Sequence, residues 1–329
     1  MKNNLFLSGI LLVCLILSIS CKNNNSGLPS STGKTAEVLF VIDRFHWDGT
    51  AGNNIKQIFT AEYQVLNQPE PLFNLAHIEP GDFSKIFQSH RNIIIVEIKD
   101  SISKDMMEIR KDVWAQPQLV IKMVSQTPGG FVEMLEKHSK QIIALLYETE
   151  RKRMQKSFSN EQDMSLTNAL QQGFGFSMTL PKGYFMAKKS GDFCWIRRET
   201  EETSMGLLVY TYPYTDTISF NSTYILNLRD SLTRIHIPGP RDGSFMQVSH
   251  KVVLPVSKKT TFNNRFAVET RGLWDMKGDF MGGPFINYTF TDSTQQKIIT
   301  LDGFVYAPRF DKRNYIIQLE SIIFSYKEP

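Results

Sequence analysis

The sequence lacks the residue patterns that metal sites and the common catalytic motifs require. Its six histidines never occur at the spacing of metal ligands, and no His-Glu-x-x-His or paired-cysteine motif is present. The glycines at positions 49 and 52 are not followed by the Lys-Ser/Thr pair of a phosphate-binding loop, and the Gly-x-Ser-x-Gly motif of serine hydrolases is absent. The sequence therefore predicts no metal site and no cofactor.

An excess of one charge sign is also missing. In the 329 residues, 37 lysines and arginines oppose 33 aspartates and glutamates, which gives a formal net charge of +4 at pH 7. Nucleic-acid-binding domains carry a pronounced basic excess, so we expect no nucleic-acid partner. The local basic cluster Arg151-Lys152-Arg153 is interpreted as the solvent-exposed end of a helix, where cations complement the helix dipole.

Long apolar runs are absent except between residues 5 and 19. This run follows the positively charged Lys2 and is too short to anchor the chain stably across a bilayer. It ends in Leu17-Ser18-Ile19-Ser20-Cys21, after which the sequence becomes polar. The arrangement is typical of an export signal, and it resembles the lipobox of Bacteroidetes-type lipoproteins. An ordinary signal peptide cleaved near a cysteine is the alternative, because Ser18 replaces the leucine usual three places before the cysteine.

The lipobox resemblance implies an address for the mature protein. Residues 1–20 would be removed as a signal peptide, and Cys21 would carry several acyl chains such as palmitate, which together hold a protein durably on a membrane. Lys22 in place of aspartate implies the outer membrane. The lack of acidic residues up to Asn25 favours its periplasmic face over the cell surface. Residues 21–35, rich in Asn, Ser, Gly and Thr, are expected to form a flexible tether.

Cysteine is scarce, with three residues in the whole chain. Cys14 would be lost with the signal peptide and Cys21 consumed by lipidation, so only Cys194 would remain as a thiol and no intramolecular disulfide could form. Cys194 lies in an apolar stretch with no histidine beside it. We interpret it as a small buried hydrophobic residue rather than a nucleophile.

Residues 36–165 alternate between apolar strands and segments of helical period, which predicts a small α/β domain. Their continuous Ile and Val runs are typical of strands that are covered on both faces. A long helix with one apolar stripe is expected from about residue 130 to 155, and shorter helices at 53–63 and 82–87. The predicted strands are 37–42, 72–78, 92–98 and 118–123, with an irregular section between the last two.

In residues 166–329, predicted strands follow one another with polar turns between them, and two segments have helical period. This pattern predicts an α+β domain built on a curved antiparallel sheet that carries two helices. One helix is expected at 224–235 and is stopped by Pro238-Gly239-Pro240. The other is an amphipathic helix at 315–326, with Asp311 as its candidate N-cap. The predicted strands are 174–184, 193–198, 205–212, 245–254, 264–274, 284–291 and 297–306.

Taken together, the lipobox, the α/β first half, the segment from Gly175 to Tyr184 and the closing helix resemble one family. It is the uncharacterised Bacteroidetes lipoprotein family of domain of unknown function 4837 (DUF4837). The resemblance covers nearly the whole chain, and it implies lineage and address but no activity. The second half alone resembles the PsbP-like sandwich in layout, through Leu180-Pro181-Lys182-Gly183-Tyr184 and the terminal helix. Such folds mostly bind or scaffold.

A polar group directly follows the first predicted strand. Asp43, His46 and Asp48 lie where loops at the carboxyl ends of strands line the ligand-binding crevice of open α/β sheets. They are candidate contacts for a ligand or partner. The same residue types also serve as turn and helix-capping groups, which is the alternative interpretation.

Aromatic residues flank the predicted turn at Lys277-Gly278-Asp279. If Trp274 and Phe280 are exposed at this hairpin tip, they could contact a protein or a glycan, because aromatic faces supply contact area at little entropic cost. Packing of both rings on the sheet is the alternative, since aromatic residues are common in strand cores.

Four short triplets resemble the acceptor site of the Bacteroidetes O-glycosylation system. Each has aspartate, then serine or threonine, then a small or apolar residue, and Asp-Ser pairs are also ordinary turn residues. The candidate acceptors are Ser101, Thr217, Ser231 and Ser293.

We therefore expect a membrane-anchored envelope lipoprotein with a non-enzymatic binding or scaffolding role. Its candidate partners are an envelope protein or a glycan. The alternative is a periplasmic hydrolase-like enzyme that uses the loop from Asp43 to Asp48.

Replacement of the lipidated residue tests the predicted anchor. The Cys21→Ser variant is expected to leave the membrane fraction and to appear as folded protein in the soluble fraction, because the acyl chains would provide the durable hold on the bilayer. Fractionation with a carbonate wash measures this distribution, with the unmodified chain as the control. A variant that stays in the washed membranes would contradict anchoring through Cys21.

Overall fold

The computed structural model describes residues 27–329. The predicted export signal, the lipidation site Cys21 and the first part of the predicted tether lie outside the described residues. Within residues 27–329, no helix is long and apolar enough to cross a membrane. The predicted fold class, an α/β half followed by an α+β half with a curved antiparallel sheet, is confirmed.

The first domain is a five-stranded sheet with its principal helices on one face. Its strands are β1 (Glu37–Val41), β2 (Asn74–Ile78), β3 (Asn92–Ile98), β4 (Met106–Lys111) and β5 (Leu119–Ser125). Its helices are α1 (Arg44–Asp48), α2 (Thr50–Phe59), α3 (Lys85–Gln88) and α4 (Pro128–Asn160), with a 3-10 turn at Pro80–Asp82. The strand order is β2-β1-β3-β5-β4, in which β4 is antiparallel and the others are parallel.

Burial explains which strands the sequence pattern indicated. The apolar runs of β1, β3 and β5 are buried because α2 and α4 cover one face of the sheet and loops cover the other. On the loop side Phe83 and Trp114 pack edge to face, with ring centres 5.4 Å apart. Strand β4 lies in the section predicted to be irregular. It is an exposed edge strand with charged residues, so its pattern lacks the continuous apolar run of its neighbours.

The interpretation of the basic cluster as a solvent-exposed helix end is wrong. Helix α4 continues to Asn160, and within it Arg153 is buried at the amino-terminal ends of β3 and β5. The Arg153 guanidinium donates to the carboxylate of Glu150 and to the side-chain oxygen of Asn92, at 2.8 Å each. Arg151 lies over the ring of Phe324 at 4.4 Å. Arg153 therefore supplies hydrogen-bond donors to the polar strand ends that α4 crosses, and Arg151 packs on an aromatic ring.

The second domain is an eight-stranded antiparallel sheet. Its strands are β6 (Tyr184–Ser190), β7 (Phe193–Glu199), β8 (Ser204–Pro213), β9 (Phe245–Ser249), β10 (Val256–Phe262), β11 (Arg265–Lys277), β12 (Gly282–Thr291) and β13 (Lys297–Tyr306). Its helices are α5 (Met164–Phe174), α6 (Ser222–His236) and α7 (Arg313–Ile323), with a 3-10 turn at Thr217–Phe220. The strand order is β10-β11-β12-β13-β8-β7-β6, and β9 pairs with β11. Helix α6 covers one face of the sheet, and α7 covers the other.

Two strand predictions for this domain are corrected. The segment 175–183 is irregular, and its apolar residues Phe176, Met178 and Leu180 are buried against the core without joining the sheet. The first strand is instead β6. The single strand predicted at 245–254 ends at Ser249, and β10 follows as an unpredicted edge strand. Lysines and threonines fill β10, so its sequence carries little apolar signal.

Helix α7 is shared between the two domains. Ile316, Leu319 and Ile323 pack into the core of the second domain, whereas Ile317 packs into the core of the first. The side-chain amide of Gln155 in α4 donates to the carbonyl of Ser321 at 3.0 Å. The sequence predicted an amphipathic helix with one apolar face. Instead, α7 is buried on two sides, one against each domain. The two domains therefore form a continuous packed unit.

The amino terminus of α7 is capped by the first domain. The Glu70 carboxylate accepts hydrogen bonds from the backbone N–H groups of Lys312 at 2.6 Å and Arg313 at 2.9 Å. A carboxylate here satisfies free N–H groups and complements the helix dipole. The prediction of Asp311 as the cap is wrong, because its carboxylate instead accepts from the side chain of Gln68 at 2.9 Å. The cap is thus supplied by tertiary contact.

A buried charge network lies beside this cap at the domain junction. The Arg271 guanidinium donates to Glu269 at 2.7 Å, to Glu320 at 2.6 Å and to the Tyr63 hydroxyl at 2.9 Å. Burial acts to raise the pKa of Glu269, but the positive charges of Arg271 and Lys258 outweigh it and hold the pKa below its ordinary value. The network therefore stabilises ionised groups at a site that excludes water, and Tyr63 ties it to the first domain.

The final part of the predicted tether is attached to the first domain. The Pro29 carbonyl accepts from the backbone N–H of Gln116 at 2.8 Å, and Thr32 exchanges backbone hydrogen bonds with Ser89 at 2.8 Å and Arg91 at 2.9 Å. The prediction of a flexible tether over residues 21–35 is therefore corrected for residues 29–32. These residues run in parallel beside the segments that lead into β5 and β3.

Removal of the tertiary cap tests its role in joining the domains. Glu70→Ala is expected to lower the free energy of unfolding by about 2 kcal/mol, because two buried N–H groups lose a charged acceptor. Asp311→Ala, the cap that the sequence indicated, is expected to cost less than about 0.5 kcal/mol because its bond is exposed. Urea unfolding of both variants measures the difference, and equal losses would contradict the assignment of Glu70 as the cap.

The pH dependence of stability tests the charge network. Because the pKa of Glu269 in the folded protein lies below its ordinary value of 4.5, its ionised form stabilises the fold above that pH. This contribution is lost as the pH falls through the lowered pKa. Glu269→Gln is expected to cost about 3 kcal/mol at neutral pH, since it leaves Arg271 short of a buried partner.

Unfolding curves at several pH values give the comparison. The difference in stability between the native chain and Glu269→Gln should shrink below pH 4.5. Glu108→Gln is the matched control, because Glu108 pairs with Arg110 at the surface and such pairs contribute little. Parallel pH profiles for the native chain and Glu269→Gln would overturn the assignment.

Candidate functional site

A row of glycine and phenylalanine residues shapes the α6 face of the second sheet. Strand pairing aligns Gly272 of β11 with Phe285 of β12, Phe304 of β13 and Gly206 of β8. A Cβ atom at Gly206 would lie 2.2 Å from the ring of Phe304, and one at Gly272 would lie 2.4 Å from the ring of Phe285. Both glycines therefore provide the space into which the rings lean, and the rings form an apolar floor.

A cleft of about 400 Å³ adjoins this floor near the carboxyl end of α6. We call it the Trp195–Trp274 cleft. The indole Nε1 of Trp274 donates to the carbonyl of Val305 at 3.1 Å, which fixes the ring in the floor. The apolar walls include Trp195, Met246, Trp274, Met276, Met281 and Phe304. The segment 199–204 supplies a polar rim that includes Glu199, Glu201 and Glu202. The cleft thus combines an apolar interior with a charged entrance, as small-molecule sites commonly do.

Two hydrogen-bond donors of the cleft lining are buried and have no partner within residues 27–329. They are the indole Nε1 of Trp195 and the guanidinium Nε of Arg197. The Arg197 guanidinium lies 4.8 Å from the ring centre of Trp195 and pairs with Glu199 through Nη2. Burial lowers the pKa of Arg197. Buried donors are normally satisfied. Because neither atom is accessible to water in this geometry, an acceptor oxygen of a ligand would reach them only after the Trp195 and Arg197 side chains turn towards the cleft.

A polar network beneath α6 holds the helix that borders the cleft. Arg229 of α6 is fully buried and donates to both oxygens of Asp302, at 2.9 and 3.3 Å. Its guanidinium also lies 3.9 Å from the ring centre of Phe285, and Asn287 donates to Asp302 at 3.0 Å. Thr233 donates to the carbonyl of Met246, a cleft residue, at 2.9 Å. These bonds hold α6 and β9 against the sheet on one side of the cleft.

The residues predicted after the first strand lie apart from this cleft. Asp43 caps α1 by accepting from the backbone N–H of Phe45 at 2.9 Å, and Asp48 pairs with Arg44 at 3.2 Å. His46 borders a surface pocket of about 500 Å³ with Asp48 and lies against the ring of Phe45. The two carboxylates are therefore engaged in capping and ion pairing, and they do not converge on a common point with His46.

The two aromatic residues predicted at the hairpin tip have different environments. Trp274 is 2% exposed and forms the floor of the cleft, whereas Phe280 is 92% exposed at the turn between β11 and β12. The Arg241 guanidinium lies 5.6 Å from the ring centre of Phe280. The pair therefore does not form one exposed surface, and Trp274 faces the cleft while Phe280 faces solvent.

Three of the four candidate glycosylation sites lie in turns and one lies in a helix. Ser101, Thr217 and Ser293 are exposed in turns or short 3-10 segments. Ser231 is exposed on α6, where its hydroxyl donates to the carbonyl of Asn227 at 2.9 Å.

Cys194 is fully buried, and burial raises the pKa of its thiol to about 12. Such a group packs as a hydrophobic residue and is a poor nucleophile.

Trp195 and Arg197 were not among the predicted site residues. Their only local signal is the alternation in β7, which places Trp195 and Arg197 on the opposite side of the sheet from Cys194 and Ile196. The cleft needs side chains from β7, β9, β11 and β13 together, and this association arises only from the strand order. Sequence reasoning could have found an amphipathic strand but not the cleft.

Two family models match the chain, and both describe domains of unknown function. DUF4837 matches residues 163–325, and DUF8532 matches residues 31–159. The predicted resemblance to DUF4837 is confirmed, with the correction that it covers the second half while the first half matches a family of its own. No curated protein matches the chain.

Solved structures match about half of the chain at low identity. A crystal structure from Bacteroides thetaiotaomicron is 7% identical over 48% of this chain and 46% of that chain, with a TM-score of 0.27. The Saccharomyces cerevisiae Ran-binding protein Mog1p is 10% identical over 47% of this chain and 90% of its own, with a TM-score of 0.32. LpqN of Mycobacterium tuberculosis, involved in cell envelope biogenesis, is 12% identical over 47% and 83%, with a TM-score of 0.28.

Proposed function

We propose that this chain, which joins a DUF8532 region to a DUF4837 domain, is a lipid-anchored envelope protein that binds an amphipathic small molecule in the Trp195–Trp274 cleft. The unsatisfied donors of Trp195 and Arg197 beside an apolar lining carry this proposal. Buried donors cost free energy until an acceptor reaches them, so a bound oxygen would repay that cost.

The chemistry of the lining defines the ligand class. Methionine side chains adapt to irregular apolar shapes, and the rings of Trp195, Trp274 and Phe304 offer flat faces. The donors at one side match an acceptor oxygen, such as that of a carbonyl, carboxylate or sulfonate group. We therefore propose a ligand with an apolar body and an acceptor oxygen at one end, held with that oxygen towards Trp195 and Arg197.

The address is proposed from the sequence. Lipidation at Cys21, residence in the outer membrane and a periplasmic orientation rest on the lipobox, on Lys22 and on the acid-free stretch that follows. The exposed Phe280 tip is a separate proposed contact for an envelope protein or a glycan. A hydrolytic role of the loop after β1 gains no support from the positions of Asp43 and Asp48, which are occupied by a helix cap and an ion pair.

Binding of a model amphiphile tests the cleft. Anilinonaphthalene sulfonate, an apolar fluorescent dye with acceptor oxygens, is expected to bind the native chain at one saturable site. Trp195→Phe keeps an aromatic face but removes the N–H and the second ring of the indole, so it is expected to weaken binding about tenfold through the loss of a hydrogen bond and of apolar contact. Met281→Trp is expected to abolish binding, because the larger side chain would fill the cleft.

A matched control uses a tryptophan outside the cleft. Trp114→Phe makes the same chemical change in the first domain, where Trp114 packs on Phe83, and it should leave the affinity unchanged. Fluorescence titration and calorimetry measure the affinities, and circular dichroism checks that each variant is folded. Native-like binding by both Trp195→Phe and Met281→Trp would exclude the cleft as the binding site.

A further inference from the structure

The chain that leads back towards Cys21 leaves the first domain at a defined edge. Residues 30 and 32 form parallel bridges with Gln116 and His90, which precede β5 and β3. Because the two segments are parallel, the residues before Thr32 and the residues before His90 extend towards the same end of the domain. Leu28 therefore lies at the same end of the domain as α3, which holds Ile86 and Phe87. We call this end the proximal edge.

Covalent geometry limits how far the proximal edge can be from the lipid anchor. Cys21 and Gly27 are six residues apart. A peptide chain spans at most about 3.6 Å per residue, so the distance from Cys21 to Gly27 cannot exceed about 22 Å. With the acyl chains of Cys21 in a bilayer, the proximal edge is thus held close to the membrane surface.

The proximal edge exposes apolar side chains that the fold does not use. Ile86 is 79% exposed, Leu28 is 41% exposed and Phe87 is 40% exposed. Lys85 lies beside them in the sequence and is exposed, and Lys111, at the end of β4 that pairs with the start of β5, is exposed at the same edge. Apolar side chains flanked by lysines match the composition of surfaces that bind the interface of anionic membranes.

The acidic groups of this edge accept hydrogen bonds from neighbouring donors. Glu37 pairs with His90 at 3.2 Å, and Glu108 pairs with Arg110 at 2.7 Å. Asp112 accepts from the backbone N–H of Gln118 at 2.8 Å. Neither Lys85 nor Lys111 forms an ion pair within residues 27–329, and the charge of Lys111 contributes to lowering the pKa of Glu148. The ammonium groups of Lys85 and Lys111 are therefore exposed at this edge and available to anionic headgroups.

We infer that Leu28, Ile86 and Phe87 contact the bilayer directly, with Lys85 and Lys111 at the level of the headgroups. The inference rests on the proposed lipidation of Cys21. It adds a second contact to the anchor, because these residues would fix the orientation of the first domain on the membrane and direct the loop after β1 away from it. That loop lies at the opposite edge of the same sheet and exposes Phe45 to 78%.

Depth-dependent quenching of a single fluorophore tests this contact in the full lipidated chain. A polarity-sensitive dye is attached to Ile86→Cys or, as the matched control, to Phe45→Cys. Both positions carry exposed apolar side chains, one at each edge of the sheet. Labelling is specific for the introduced thiol, because Cys194 is fully buried and Cys21 would be blocked by its lipid. Each protein is reconstituted into vesicles of phosphatidylethanolamine and phosphatidylglycerol that carry nitroxide-labelled acyl chains.

The expected result is several-fold stronger quenching of the dye at position 86 than at position 45. Neutral vesicles of phosphatidylcholine should reduce the quenching at position 86, because Lys85 and Lys111 would lose their anionic partners. A chain that sediments with the vesicles but shows equal, weak quenching at both positions would overturn the membrane contact while leaving the anchor intact. A chain that fails to sediment would show that the anchor itself is wrong, and the contact would fall with it.

Discussion

The arrangement of the whole molecule depends on the unpaired backbone N–H groups at the start of α7. A helix that starts in a protein interior brings N–H groups that must find acceptors. Glu70 supplies both oxygens from the first domain, so the helix can be buried between two cores. Ile317 then enters the first core while Leu319 and Ile323 enter the second. Two regions that match separate families consequently share one continuous interior.

The charge network beside the cap makes this junction specific. Apolar packing tolerates shifts of a helix, whereas the bonds of Arg271 to Glu269, Glu320 and Tyr63 are satisfied in one geometry. Buried ion pairs gain little net stability because their desolvation is expensive, but breaking one partner is costly. The network therefore acts mainly by destabilising other positions of α7 on the second sheet. The face of the sheet that α7 covers is thus occupied by the domain junction.

The opposite face of that sheet is free for another role. Helix α6 covers only part of it, and the glycine and phenylalanine row extends the apolar surface beyond the helix end into the Trp195–Trp274 cleft. The first domain contributes at a different point, where residues 29–32 attach the chain to the proximal edge. The proposed membrane attachment, the domain junction and the cleft thus occupy separate surfaces.

The sequence by itself determined most strands and helices, because apolar periodicity is local and burial in the sheets follows it. It also carries the predicted lipobox, whose signal is a run of neighbouring residues. Tertiary structure decided that Glu70 rather than Asp311 caps α7, that Arg153 is buried, and that Trp195 joins Trp274 in one cleft. Each of these depends on groups far apart in the chain, and no local pattern encodes which distant partner a polar group or ring will meet.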